Sequence, residues 1–262
     1  MDEFQQSQNL SSLQLAVAVQ KALLDDQIQE LHCCNIAVTN RMCDAIGGDF
    51  YYFNQFNEDQ VSFAIGDVVG HGVSAALVMT LIMGALRVDQ QNHSRPARII
   101  HNVNNILIRL GQQAKETITC SMIYGVVDLP SHILFYVNAG HPEPVICNRL
   151  THRIHKLSPT TMLLGIQAGV RAESCHQFAQ GDRLVLFTDG LTEARNTLEN
   201  PLGEKRFYEY IKELIVENPK EFTDQLIKRI ESFCHKAPQQ DDQTLAVIDF
   251  CDVSSSALRD RH

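Results

Sequence analysis

Four acidic positions stand where predicted strands meet their loops. Asp49 follows Gly47 and Gly48 and precedes Phe50 and Tyr51. Asp67 follows Gly66 at the end of an alternating run over residues 61–65. Asp189 lies between Thr188 and Gly190, after the apolar residues 184–187, and Asp241 and Asp242 precede Leu245. Glycine beside three of them permits the close backbone approach of a compact ion site. If these strand ends converge, like charges in a small volume raise one another's pKa values and strain the fold until cations neutralise them. Carboxylate and backbone oxygens are the donors preferred by Mg²⁺ and Mn²⁺, whereas Zn²⁺ sites usually bring His or Cys. Two such ions about 4 Å apart turn a bridging water into hydroxide and clamp a phosphoryl group, so phosphate-ester hydrolysis is the chemistry predicted. Taken singly, Gly-Asp and Asp-Gly are common turn dipeptides. The chemistry therefore depends on convergence, which periodicity does not reveal.

The elements that must position these acids are legible in outline. Leu10, Leu13, Val17 and Leu24 follow a three-four spacing with Gln20 in the remaining seam position, which predicts an amphipathic helix of about two heptads. Residues 74–88 leave almost no polar face and predict a helix buried all round. A third helix has Ser94 as N-cap, Pro96 in its first turn, an apolar stripe from Ile99 to Leu110, and Gly111 as its stop. A fourth begins at Asn218, Pro219 and Glu221 and carries Phe222, Leu226, Ile230 and Phe233. Strands are expected over residues 61–65, 118–127, 133–137, 184–188 and 245–250. Strands cluster and helices cluster, which favours an α+β fold with mainly antiparallel sheets. The domain organisation expected is an N-terminal helical appendage over residues 1–30, a catalytic domain over 31–250 and a tail over 251–262.

Composition narrows the function classes. A net charge of −9 with dispersed Lys and Arg argues against a nucleic-acid surface. No stretch approaches the roughly eighteen apolar residues that span a bilayer, and no leader pattern opens the chain, so a cytoplasmic protein without a membrane segment is expected. The eight cysteines are scattered and read as reduced thiols. His32, Cys33 and Cys34 lack the second ligand pair of a zinc site. No Gly-x-x-x-x-Gly-Lys loop supports nucleotide binding.

Five phrases, in order, resemble the signature of the bacterial phosphatases related to stage II sporulation protein E, a branch of the metal-dependent (PPM-type) serine/threonine phosphatases. They are Ile46-Gly-Gly-Asp-Phe-Tyr51, Gly66-Asp-Val-Val-Gly-His-Gly72, Asn138-Ala-Gly-His-Pro142, Thr188-Asp-Gly-Leu-Thr-Glu-Ala194 and Asp241-Asp-Gln-Thr-Leu245. The resemblance implies a four-layer α/β/β/α sandwich of two mainly antiparallel sheets flanked by helices. It implies two Mn²⁺ or Mg²⁺ ions, with Asp67 bridging them, Asp49 and the Val68 carbonyl completing one, and Asp189 with Asp241 holding the other. A metal-bridging water is then the nucleophile. Asp242 either stands behind these ligands or holds a weaker, third ion.

His71 suits a general-acid role by its native pKa, although in the wider family the histidine lies nearer the bridging aspartate. The alternative is that residues 70–72 form a tight turn in which the imidazole caps backbone. His141 reads as structural. The wider family grips phosphate with an arginine near the first metal-binding strand, and here Arg41 is the nearest and a poor match. Tyr52 stands where close relatives often carry an acid, a difference that bears on substrate choice. By resemblance the substrate is a phosphorylated anti-sigma-factor antagonist, with regulation by a separate protein or a homodimer contact through residues 10–24. The rival readings are a metal-free pseudophosphatase scaffold and a small-phosphoester hydrolase.

Overall fold

A computed structural model describes residues 2–25, 34–88, 93–169 and 172–250. The expected tail over 251–262, and His32 and Cys33, lie outside the described residues. The chain runs α1 (Asp2–Asp25), β1 (Cys34–Arg41), β2 (Phe50–Gln55), β3 (Gln60–Val68), α2 (Gly72–Val88) and α3 (Pro96–Ala114). There follow β4 (Cys120–Asp128), β5 (Ile133–Ala139), β6 (Val145–Asn148), β7 (Ile154–Lys156), β8 (Ser174–Gln177) and β9 (Asp182–Phe187). The chain closes with α4 (Asp189–Thr192), α5 (Glu204–Leu214), α6 (Pro219–Cys234) and β10 (Gln243–Phe250).

The strands form two five-stranded sheets, ordered β1-β10-β9-β6-β7 and β2-β3-β4-β5-β8, and every pairing is antiparallel. Strand alternation explains the layering. Leu184, Leu186, Ala246 and Ile248 turn into the core shared with the second sheet, while Val185, Phe187, Leu245 and Val247 turn to the opposite face and pack under α5 and α6. The helices α2 and α3 cover the second sheet, through β3, β4 and β5. The α/β/β/α sandwich expected from the sequence is the observed fold.

Two helical expectations need correction. Helix α2 is not buried all round. Ala75, Met79, Ile82, Met83 and Leu86 face the sheet, but Val73, Leu77 and Val88 are more than half exposed on the outer face. Uniform apolarity told of no preferred face, and only one of them met the sheet. Helix α3 starts after Arg95 instead of Ser94, without a side-chain cap, and passes Gly111 to end at Ala114. Gly111 serves close packing: its carbonyl accepts the Glu116 amide at 3.1 Å, and a β-carbon there would stand 2.7 Å from the Glu116 carbonyl oxygen. The fourth predicted helix begins as expected, with Asn218 Oδ1 accepting the Glu221 amide at 3.0 Å.

Helix α1 packs on its own domain through only part of the predicted seam. Leu24 and Gln20 are buried and Val17 is half-buried. Leu13, expected in that seam, faces outward with Leu15 and Val19, and the side chain of Leu10 lies outside the described residues. Gln20 is the unexpected member, since its Nε2 donates to the Gly47 carbonyl at 2.8 Å and its Oε1 accepts the Gly47 amide at 3.1 Å. An amide in an apolar seam thereby satisfies itself on backbone.

Candidate active site

The register brings the acids to one end of the sandwich. Phe50 on β2 pairs with Gly66 on β3, which sets Asp49 beside Asp67. On the other sheet the Thr188 amide donates to the Thr244 carbonyl at 3.0 Å, which sets Asp189 beside the strand that Asp241 and Asp242 precede. Each sheet therefore supplies half of the group.

Asp49 is held across the gap between the sheets. Its Oδ2 accepts the hydroxyls of Thr188 at 2.8 Å and Thr244 at 2.6 Å. Both hydroxyls have their single proton committed to this task, because Thr188 Oγ1 accepts the Thr244 amide at 2.9 Å and Thr244 Oγ1 accepts Asn40 Nδ2 at 2.7 Å. Asp242, also buried, spends its carboxylate on backbone: Oδ1 accepts the Cys43 amide at 2.7 Å, and Oδ2 accepts the amides of Gly48 at 2.8 Å and Asp49 at 3.4 Å. It stands behind the other acids and clamps the loop that leads to Asp49. Glycine is required in that loop, since a β-carbon at Gly47 would stand 1.9 Å from Asp242 Oδ2 and one at Gly48 would stand 2.8 Å from the Val68 carbonyl oxygen.

The electrostatics are those of crowded carboxylates. Burial, followed by repulsion from Asp49, Asp189, Asp241 and Asp242, pushes Asp67 up to about 9. Burial raises Asp49 to about 8 against the two threonine hydrogen bonds, which favour its ionised form. Asp189 and Asp241 are also raised, chiefly by burial. Such a group fits hard divalent cations in donor chemistry and in charge. Among the described residues no three His, Cys, Asp or Glu side chains stand close enough to enclose an ion. The fit therefore rests on oxygen donors and mutual repulsion.

Known proteins decide the family. The family model described as stage II sporulation protein E (SpoIIE) matches residues 57–250. This chain belongs to the stage II sporulation protein E family. The phosphatase is 27% identical over 242 residues to the phosphoserine phosphatase RsbU of Bacillus subtilis, covering 91% of this chain and 70% of that one. It is 27% identical over 188 residues to the phosphoserine phosphatase RsbP of the same organism, covering 69% of this chain but 45% of that one. In structure it resembles the SiaA PP2C domain of Pseudomonas aeruginosa, with a TM-score of 0.82 at 21% identity over 94% of this chain and 98% of that one. Fold and reaction class, a PP2C-type serine/threonine phosphatase, agree with the sequence expectation.

The remaining candidates of the phosphatase fall into place around the acids. His71 is exposed at the mouth, where Nδ1 lies 3.2 Å from Asp44 Oδ2. It pairs with a carboxylate and does not cap backbone. It also lies near enough to Asp241 to hold down the rise of that acid. Arg41 is paired with Glu231 at 2.6 Å on the wall of a cleft of about 480 Å³ that Gly190 and Asp241 also line. Tyr52 is buried and stacks on His93 with ring centroids 6.1 Å apart, so it belongs to the packing of the second sheet. Thr188, Thr244, Gln20 and the clamping role of Asp242 were not foreseen. The signal available for the threonines was a hydroxyl one residue before Asp189 and another two residues after Asp242.

Proposed function

We propose that this phosphatase hydrolyses phosphoserine or phosphothreonine on a small regulatory protein, using two Mn²⁺ or Mg²⁺ ions at Asp49, Asp67, the Val68 carbonyl, Asp189 and Asp241. The observation that carries the reading is the gathering of these acids from both sheets, with Asp67 pushed up to about 9 by burial and by its neighbours. When bound, such ions activate water for in-line attack and neutralise charge on the phosphoryl oxygens. The chain's own contribution is orientation. Thr188 and Thr244 fix Asp49 through Oδ2, so that Oδ1 is the oxygen left for an ion. Gly48 keeps the Val68 carbonyl clear of side chains. His71, with Asp44 beside it, is the residue placed to protonate the leaving serine oxygen.

Kinship supports this substrate class. RsbU and RsbP are named phosphoserine phosphatases, and a solved Mycobacterium tuberculosis protein that this fold resembles, with a TM-score of 0.69, joins RsbU and RsbW domains. An anti-sigma-factor antagonist carrying phosphoserine is the partner proposed for that chemistry, with the cleft of about 480 Å³ beside Asp241 as the seat for the flanking polypeptide. Regulation by a separate protein, or by a second copy, would use the outward face of α1 at Leu13, Leu15 and Val19. No described helix is long and apolar enough to cross a membrane, and a cytoplasmic setting belongs to the proposal. All four acids are present, which favours an enzyme over a pseudophosphatase scaffold.

The test is a phosphatase assay on a phosphoserine antagonist protein beside a small chromogenic phosphoester. Activity should vanish with chelator and return with Mn²⁺ but poorly with Zn²⁺. Full activity in rigorously metal-free protein would defeat the mechanism, and preference for the small ester would defeat the substrate class.

A further inference from the structure

The segment from Asn138 to His141 has no place in the ion site, yet it is built with care. Asn138 Oδ1 accepts the His141 amide at 2.8 Å, and its Nδ2 donates to the carbonyls of His141 at 3.1 Å and Leu157 at 3.0 Å. Gly140 takes φ +65°, where a side chain would also stand 3.0 Å from Leu163. This turn drives the imidazole of His141 inward until the residue is 1% exposed.

There it touches the neighbours of one acid from each sheet. Nδ1 lies 2.8 Å from Ser121 Oγ, and Ser121 on β4 stands opposite Asp67 in register. On the other side the backbone of Phe187, two residues before Asp189, faces the ring. Yet Nε2 has no hydrogen bond of normal geometry. A neutral imidazole carries one proton. With that proton on Nε2, Nδ1 accepts from the Ser121 hydroxyl and the donor faces the Phe187 carbonyl in a loose contact outside normal hydrogen-bond geometry. A buried donor left unmet is a cost that native structures rarely leave unanswered.

We propose that His141 is a positioning residue that gauges the gap between the sheets, its Nε2–H closing on the Phe187 carbonyl as Asp67 and Asp189 draw together around an ion. The proposal rests on the two-ion reading above. It makes Ser121, His141 and Phe187 a strut whose length sets the spacing of the acids from behind.

The test uses the full chain with Mg²⁺, which is diamagnetic. In wild type, saturation should move the His141 Hε2 resonance downfield and slow its exchange with water, a response that a purely structural histidine would not give. Ser121→Ala should weaken Mg²⁺ binding about tenfold by calorimetry, and His141→Gln should do the same or more. The two losses should not add in the double variant, because both cut one strut. An Hε2 resonance unchanged by Mg²⁺ that the protein demonstrably binds would overturn the proposal even if His141→Gln fails to fold. So would Ser121→Ala binding Mg²⁺ like wild type. Absence of any Mg²⁺ or Mn²⁺ binding by wild type would instead overturn the two-ion reading, and this inference with it.

Discussion

Replacing Asp67 by Asn should stabilise the metal-free protein, by an amount that grows with pH. Asp67 is raised from 3.8 to about 9 in the folded state, first by burial and then by the acids around it. An acid whose folded pKa lies above its unfolded value costs nothing below the unfolded value. Its cost grows as pH rises towards the folded one, because the folded state then holds a proton that the unfolded state has released. At about 1.4 kcal/mol per pH unit, the interval from 3.8 to pH 7 is worth about 4 kcal/mol at most, and the interval to pH 5 about 2 kcal/mol. Asparagine removes the titration and leaves a buried amide that costs about 1 kcal/mol if poorly paired. Asp67→Asn should therefore be about 3 kcal/mol more stable than wild type at pH 7 in chelator, about 1 kcal/mol more stable at pH 5, and no more stable near pH 4. Urea denaturation at the three pH values measures this directly. At a thousandfold excess of Mn²⁺ over Kd the order at pH 7 should reverse, since only wild type gains from ion binding, by about 4.1 kcal/mol. A variant no more stable than wild type at pH 7 without metal, or a difference that ignores pH, would refute the account of crowded carboxylates.

Thr244→Val removes the 2.6 Å donor to Asp49 and strands Asn40 Nδ2. Its Mn²⁺ affinity should fall ten- to a hundredfold by calorimetry, and an unchanged affinity would free Asp49 from the threonine clamp. Gln20→Ala breaks both hydrogen bonds to Gly47 and should cost about 1–3 kcal/mol in thermal denaturation, with activity falling in parallel. Full activity at unchanged stability would show that α1 does not support the loop. Arg183→Ala should cost about 3–5 kcal/mol, because fully buried Arg183 donates to both carboxylate oxygens of Asp249, at 2.7 and 2.8 Å, and its loss leaves that buried carboxylate with only the partly exposed Arg149. A loss under 1 kcal/mol would mean that Arg149, 3.1 Å from Asp249, suffices alone.

Legibility in the sequence tracked how local each cause was. Strand β3 alternates, β9 and β10 are short apolar runs, and α3 and α6 carry a three-four spacing, patterns set by their own neighbours, and all five were readable. The acids stood out too, as residues at strand ends, three of them beside glycine. What escaped depends on which strands lie side by side. Thr188 and Thr244 matter only because β9 and β10 adjoin and face β2 across the core. Gln20 looked like a flaw in an apolar seam until Gly47 supplied its partners. The exposed face of α2 escaped for the opposite reason, since a helix apolar on every side points to no neighbour.

The pairing of β1 with β10 joins Cys34 to Phe250 and Arg41 to Gln243. The first strand of the fold is thus zipped to the last, with some two hundred residues made in between. During synthesis β1 has no partner, and Asp49 lacks the Thr244 hydroxyl, until the final strand emerges. Contacts so distant in sequence form late and slowly. A chain lacking β10 would therefore leave β1 unpaired and Asp49 without the Thr244 hydroxyl, so that phosphatase activity should appear only once β10 has docked.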